Sequence, residues 1–327
     1  MKKILLIQTA FIGDVVLATS VVESIKLSHP DYVVDFLLRK GNESLLFNHP
    51  FLRKIIIWEK RKHKFKNLFA LLLQVRKEKY DVVINLQRFL SSGILTAFSG
   101  SKQKFGFKPN PLSFLFTKSY PHILNGMHET ERNLSLIQSF CSRTTVKPKL
   151  YPLVSDFDLI NKYIEKPFIT ISPTSVWYTK QFPAEKWIEF IQRIPENIQV
   201  YLLGGKGDFE ACNTIKNKCT RDVINLAGKL SFLQSAALMQ KARMNFVNDS
   251  GPLHFASAVN APVTAIFCST SPVFGFGPLS DNARIIETKI NLSCKPCGLH
   301  GKKSCPLGHF NCALTIEPND LTQQVPQ

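Results

Sequence analysis

Apolar runs of strand length alternate with segments of helical period along the whole chain. In the first half the runs are Ile4 to Ile7, Val33 to Leu38, Ile55 to Trp58 and Val82 to Leu86, and helical patterns occupy Val15 to Lys26 and Asn67 to Lys79. The second half repeats the style, with strands Phe168 to Ser172, Val200 to Leu203, Val223 to Leu226, Met244 to Val247 and Val263 to Phe267. Helices are expected between them near Ala184 to Arg193, Asp208 to Lys216, Ser231 to Lys241 and Pro252 to Val259. Short, continuously apolar strands belong in parallel sheets covered on both faces, so the pattern predicts an α/β protein of two doubly wound domains. Periodicity lapses between Pro148 and Asp158, which divides the chain into domains at 1–155 and 156–327. Sheets of this kind bind ligands beyond the carboxyl ends of their strands, so the strand-to-helix loops are where chemistry is expected.

Composition narrows the class. With 327 residues, 44% of them apolar and 20% charged, the chain can bury two cores, which excludes disorder, collagen and coiled coil. Its longest apolar stretches, such as Leu68 to Leu73, fall well short of the roughly 18 residues needed to cross a bilayer. Lys2 and Lys3 before Ile4 to Ile7 imitate a signal peptide only faintly, because Asp14 and Glu23 interrupt any apolar core; a cytoplasmic location is expected.

Charge changes the picture more. The net charge is +17, and residues 1–150 carry 24 Lys and Arg against 10 Asp and Glu, so +14 of the excess lies in the first half. An anionic partner is implied there. The densest run, Lys60, Arg61, Lys62, Lys64 and Lys66, precedes the Leu68, Leu71, Leu72, Val75 face of a helix. Phe65, Phe69 and His63 lie among these cations, yet no helix-turn-helix, RNP-type or zinc-finger spacing accompanies them. Nucleic acid is therefore not the expected partner; cations beside an apolar helix face suit an anionic membrane surface or glycolipid.

Four loops carry candidate chemistry. The first strand ends in Gln8-Thr9-Ala10-Phe11-Ile12-Gly13-Asp14, which lacks the glycine spacing of a dinucleotide loop and places Asp14 at the start of a helix, as a cap, a general base or both. Asn248-Asp249-Ser250-Gly251-Pro252-Leu253-His254 follows a strand and opens a helix, whose N–H groups at Ser250, Gly251 and Leu253 would face an anion, with His254 one turn in. Pro173-Thr174-Ser175 leading to Lys180, and Gly204-Gly205-Lys206-Gly207-Asp208, converge on the same strand edge. The first offers hydroxyls and a cation; the second offers a carboxylate for ribose hydroxyls. Taken singly, Lys180 also fits a surface charge, Asp208 a helix cap and His254 a buried helix residue.

Four of the eight cysteines fall in Cys294-x2-Cys297-x7-Cys305-x6-Cys312, a Cys-rich loop at 294–312 with His300 and His309 among them. Disulfides are unexpected in a reducing cytoplasm, so reduced buried or surface thiols are the expectation; a structural zinc is the alternative, which the C-x-x-C and its glycines fit although the spacing between pairs is not that of a standard ribbon or finger.

Gly13-Asp14, Lys180 before Gln181-Phe182-Pro183, Gly-Gly-x-x-Asp at 204–208, Asp249-Ser250-Gly251-Pro252-Leu253-His254 and the late cysteines, in that order, resemble the bacterial ADP-heptose:lipopolysaccharide heptosyltransferases, glycosyltransferase family 9. The resemblance implies the GT-B architecture, two Rossmann-like domains facing across a cleft, with acceptor on the amino-terminal and nucleotide-sugar on the carboxyl-terminal domain. It implies ADP-heptose as donor, an anionic lipopolysaccharide precursor bearing Kdo and phosphate as acceptor, no required cofactor, and peripheral contact at the cytoplasmic face of the inner membrane. By the same resemblance Asp14 is the catalytic base, Lys180 the cation on the diphosphate and Asp208 the ribose contact. Asp249, Ser250, Gly251 and His254 form the donor loop, with Thr174 and Ser175 in the place of phosphate-contacting residues. The basic run Lys60, Arg61, Lys62 and Lys64 would face the acceptor. Relatives of the family transfer other sugars or modify proteins, and a non-catalytic binding protein of the same fold stands as a further alternative.

Overall fold

The computed structural model describes residues 2–60, 63–124, 126–142 and 145–326; Arg61 and Lys62 lie outside the described residues. The chain forms two compact units, Met1–Tyr151 and Pro152–Gln327. The helix Val154–Ile160 packs on a helix of the second unit, Phe232–Lys241.

In the first unit β1 (Lys3–Ile7), β2 (Val33–Arg39), β3 (Leu52–Trp58), β4 (Val82–Asn85), β5 (Gln103–Phe107) and β6 (Lys118–Tyr120) form one sheet in the order β3-β2-β1-β4-β5-β6, every neighbouring pair parallel. Helices α1 (Ile12–Ser28), α2 (Lys64–Glu78), α3 (Leu90–Ala97) and α4 (Glu129–Ser135) accompany it. The central strands are buried on both sides: Ile4, Leu5, Leu6 and Ile7 are all inaccessible, as covered parallel strands require.

After α5 (Val154–Ile160), the second unit sets β7 (Phe168–Ser172), β8 (Gln199–Leu202), β9 (Val223–Asn225), β10 (Asn245–Asn248), β11 (Val263–Phe267) and β12 (Ala283–Glu287) in the order β12-β11-β10-β7-β8-β9, again wholly parallel. Its helices are α6 (Ala184–Gln192), α7 (Phe209–Lys218), α8 (Phe232–Lys241), α9 (Gly251–Ala258), α10 (Asn311–Leu314) and α11 (Pro318–Thr322). Counted within its own unit, the second sheet has the same strand order as the first. Both are doubly wound, and the winding reverses at β1/β4 in one and at β7/β10 in the other, which is where such sheets open a crevice for a ligand.

Two features depart from the expected pattern. The pattern does not announce β5, β6 and β12, nor the helices α3, α4, α5, α10 and α11: of β12 only Ile286 is buried, β6 has three residues and β5 starts on an exposed Gln103, so none of these strands presents a continuous apolar run, and the helices are four to eight residues long. α2 also buries the face expected at a membrane. Leu68, Leu71 and Val75 pack with Leu5, Ile7, Leu37, Ile56 and Trp58, each burial stabilising by about 1.5–3 kcal/mol. The outer face carries Phe65, Phe69 and Leu73 instead, 81%, 62% and 52% exposed and spaced at i, i+4, i+8. Among the described residues no helix is long and apolar enough to cross a membrane.

Candidate active site

In the first unit the loop after β1 delivers Asp14 to the third position of α1. Its Oδ2 accepts the Phe11 backbone N–H at 3.2 Å and closes the start of the helix, and the side chain keeps part of its surface in solvent. From the end of β3, Lys60 reaches the same loop: its Nζ donates to Thr9 Oγ1 at 2.7 Å and lies 4.4 Å over the Trp58 ring. Burial, then the neighbouring Arg39 and Lys64, lowers the Lys60 ammonium from 10.5 to about 8. A cation short of solvent and crowded by like charge is best relieved by an anion. Lys64 is exposed at the first turn of α2, its Nζ 5.9 Å from the Phe65 ring centroid.

In the second unit the loops after β7 and β10 meet. Lys180 Nζ lies 2.7 Å from Asp249 Oδ2, with the two side chains 14% and 8% exposed, and Thr270 Oγ1 donates to the same oxygen at 2.7 Å. The pair is held in place by packing. Phe182, two residues past Lys180, is buried edge-on against Trp187, ring centroids 5.1 Å apart, and its N–H donates to Asn248 Oδ1 at 3.0 Å. Trp187 lies on the buried face of α6 with Phe190 and Ile191, so the helix that covers the sheet also pins the lysine loop. These bonds of Thr270 and Asn248 are not revealed by local spacing, since each acts on a loop far away in sequence.

Ser250 stands at the N-cap of α9, but its hydroxyl donates back to Asn248 O at 3.3 Å, and no side chain of the described residues caps the helix. Leu253 N–H is taken by Ser250 O at 3.1 Å, which corrects the expectation that it would face a ligand; the amides of Ser250 and Gly251 are left for that role. His254 is buried in the first turn, 6.4 Å from the Phe276 ring. Thr174 and Ser175 are half-buried after β7, and Ser175 O accepts from Gln181 Nε2 at 2.7 Å.

After β8, Asp208 Oδ2 accepts from Gly205 N–H at 2.7 Å, so this carboxylate shapes its own loop. Gly204 is required there, because a Cβ would sit 2.7 Å from the Asp208 Cβ.

The Cys-rich segment folds against the lysine loop. Among the described residues no three His, Cys, Asp or Glu side chains come together closely enough to hold a metal ion. Cys294 Sγ lies 3.8 Å from His309 Nε2, while Cys312 is buried in the core of the unit. Burial pushes the Cys312 thiol up to about 11. At Cys305 burial acts in the same direction, yet backbone N–H groups of Phe310, Leu307, Gly308 and His309 outweigh it and hold the thiol below its ordinary value.

Comparison with known proteins places this geometry. The family profile described as glycosyltransferase family 9 (heptosyltransferase) matches residues 68–308, which include Lys180, Asp208, the Asp249–His254 loop and most of the cysteine segment, and which begin after Asp14. The chain is 29% identical over 292 residues to lipopolysaccharide heptosyltransferase 3 of Escherichia coli, covering 83% of this chain and 85% of that protein. Its fold is similar to that of the E. coli ADP-heptose lps heptosyltransferase II, with TM-score 0.82, 23% identity, and coverage of 99% and 97% of the two chains. It is also similar to E. coli heptosyltransferase WaaC solved with ADP, with TM-score 0.77, 17% identity and 98% of each chain covered. The two doubly wound sheets are thus those of the GT-B architecture, and the chain belongs to glycosyltransferase family 9, the heptosyltransferases.

Proposed function

We propose that the protein is an inverting glycosyltransferase that moves heptose from ADP-heptose to the inner core of a lipopolysaccharide precursor. The observation that carries this reading is the Lys180–Asp249 pair at the β7/β10 reversal, next to an uncapped α9, in a family 9 chain. A cation and helix amides at one strand edge suit a diphosphate leaving group. Asp249 orients Lys180; the amides of Ser250 and Gly251 and the ring of His254 add donors to the departing phosphate. Thr174 and Ser175 contact the phosphates, and Asp208 receives the ribose hydroxyls.

In this reading the bond between the anomeric carbon and the diphosphate oxygen breaks with its electron pair leaving on ADP. The acceptor oxygen forms the new bond on the opposite face, and its proton passes to Asp14. One displacement inverts the anomeric configuration, and the groups named neutralise the leaving charge without calling on a metal. A direct test is transfer from ADP-heptose to a Kdo-bearing lipid A precursor, run beside UDP- and GDP-sugars. The proposal expects product from ADP-heptose; product only from another nucleotide-sugar, or ADP binding without transfer, removes it.

The acceptor is read as anionic because of Lys60, and a pH prediction follows. Lys60 is charged below about 8 and neutral above it. Acceptor kcat/KM, which reports the free enzyme, should therefore fall as pH rises through about 8, and Lys60→Arg should extend the plateau upward. An identical alkaline limb in both enzymes would remove Lys60 from the acceptor site. Lys64 adds to the same surface.

Peripheral contact with the cytoplasmic leaflet of the inner membrane is proposed through the outer face of α2, where Phe65, Phe69 and Leu73 run between Lys64, Lys66, Arg76 and Lys77. The protein should sediment with vesicles containing phosphatidylglycerol and not with pure phosphatidylcholine. Phe65→Ser with Phe69→Ser should release it while leaving the fold intact, because neither side chain is in the core; equal sedimentation of the double variant would refute this contact.

A further inference from the structure

The Cys-rich segment is bound to the lysine loop at several points. Thr179 and Lys302 exchange two hydrogen bonds: Thr179 N–H donates to Lys302 O at 3.1 Å, and Lys302 N–H donates to Thr179 Oγ1 at 2.8 Å. Ser269, at the end of β11, joins both sides. Its N–H donates to Thr179 O at 3.2 Å, its hydroxyl to Thr179 Oγ1 at 2.9 Å, and its carbonyl accepts Cys297 N–H at 2.7 Å. Lys295 Nζ holds the start of the segment on Phe267 O at 2.9 Å and Glu287 Oε1 at 2.7 Å.

Gly301 sits at the point of contact. It has φ +74, and a Cβ there would fall 2.8 Å from Lys180 Cγ and 3.2 Å from Cδ. The lysine stem thus lies against the bare backbone of the segment, where any side chain would push it. Thr179 is buried and directly precedes Lys180, so the bonds to Lys302 and Ser269 set the backbone from which that lysine springs.

We infer that the 294–302 stretch is a strap that aims Lys180, with Gly301 and Thr179 as positioning residues for the donor diphosphate. The inference rests on the reading of Lys180 given above. It assigns the cysteine segment a task in the second unit that holds whatever the thiols bind: it forms the wall against which the diphosphate-binding cation is set. Asp249 fixes the ammonium end of Lys180 and the strap fixes its stem, so the side chain arrives ordered and loses less rotamer freedom when the anion binds.

The experiment measures ADP affinity by calorimetry, with donor and acceptor KM, in the full-length protein carrying Gly301→Ala, Gly298→Ala, Thr179→Val or Thr179→Ser, and in Lys180→Ala with and without Gly301→Ala. Gly298 is the control: it has φ +87 in the same segment, and a Cβ there would meet nothing within 4 Å, so its alanine strains the backbone without touching Lys180. The expected result is that Gly301→Ala weakens ADP binding and raises donor KM by about tenfold or more, the scale of one charge-assisted contact, while acceptor KM holds. Gly298→Ala should stay close to wild type, Thr179→Val should follow Gly301→Ala, and Thr179→Ser should restore donor affinity. In the Lys180→Ala background Gly301→Ala should add little, since of the atoms its Cβ meets only Thr179 Oγ1, at 3.2 Å, remains.

Wild-type ADP affinity in Gly301→Ala, or an equal loss in Gly298→Ala, overturns the strap. If Gly301→Ala does not fold, the Thr179 pair decides, and a Thr179→Ser variant as weak as Thr179→Val overturns it as well. Unchanged ADP affinity in Lys180→Ala overturns the reading of the site together with the strap.

Discussion

Asp14→Asn is expected to lower kcat by roughly 10²–10⁴-fold while ADP binding stays at the wild-type value. The asparagine is the informative replacement because of what Asp14 does for the fold. Its Oδ2 accepts the Phe11 N–H and closes the first turn of α1, and an amide oxygen can accept that same bond. Structure is kept and only the capacity to take a proton is lost. Asp14→Ala removes both, so it should also lose stability, by about 1 kcal/mol at a helix start. Single-turnover kinetics with ADP-heptose and acceptor separate the two contributions. Near-normal turnover in Asp14→Asn would leave the carboxylate as a helix-closing group and nothing more.

Lys180→Ala should be the other severe variant, and for two reasons at once. Loss of a preorganised cation on a leaving group costs roughly 10²–10³ in kcat, as for removal of one oxyanion donor. The replacement also takes the Lys180 charge from Asp249, whose side chain is only 8% exposed, and leaves it the hydrogen bond from the Thr270 hydroxyl. Breaking a buried pair by removing one partner costs about 3–5 kcal/mol, and the bond from Thr270 argues for the lower end. Adding Asp249→Asn to Lys180→Ala should therefore recover much of the thermal stability and none of the activity. Thermal melts beside donor kinetics read the two effects separately; activity restored along with stability would show that Lys180 serves the fold alone.

What was legible in the sequence was what is local. The central strands β1, β2, β4, β7, β8, β10 and β11 announce themselves as continuous apolar runs because both faces of each are covered. β5, β6 and β12 do not: β6 and β12 lie at sheet edges, β5 beside one starts on the exposed Gln103, and none of the three is a continuous apolar run. Asp14 was legible as a helix-start carboxylate, and the 248–254 loop as a helix opening after a strand. The faces of α2 were not: Leu68, Leu71 and Val75 and the outer Phe65, Phe69 and Leu73 both satisfy a helical period, and only the sheet beneath decides which is core. The Lys180–Asp249 pair, Thr270 on Asp249 and the Thr179–Lys302 exchange were beyond reach for a different reason. Each joins residues distant along the chain, brought together by strand order, and strand order is a property of the whole sheet.

In both units the candidate groups stand on strand-to-helix connections, at strand ends or in the first turn of a helix, while the interiors of the strands are buried. That division of labour gives the two tasks separate mutational targets. Drift within β1 or β10 is answered by compensating apolar exchanges that preserve volume, whereas drift in the connections alters which sugar or acceptor is held and leaves the scaffold standing. Lineages descending from one ancestor can then exchange substrates without passing through an unfolded intermediate, and divergence of the connections should outrun divergence of the sheets.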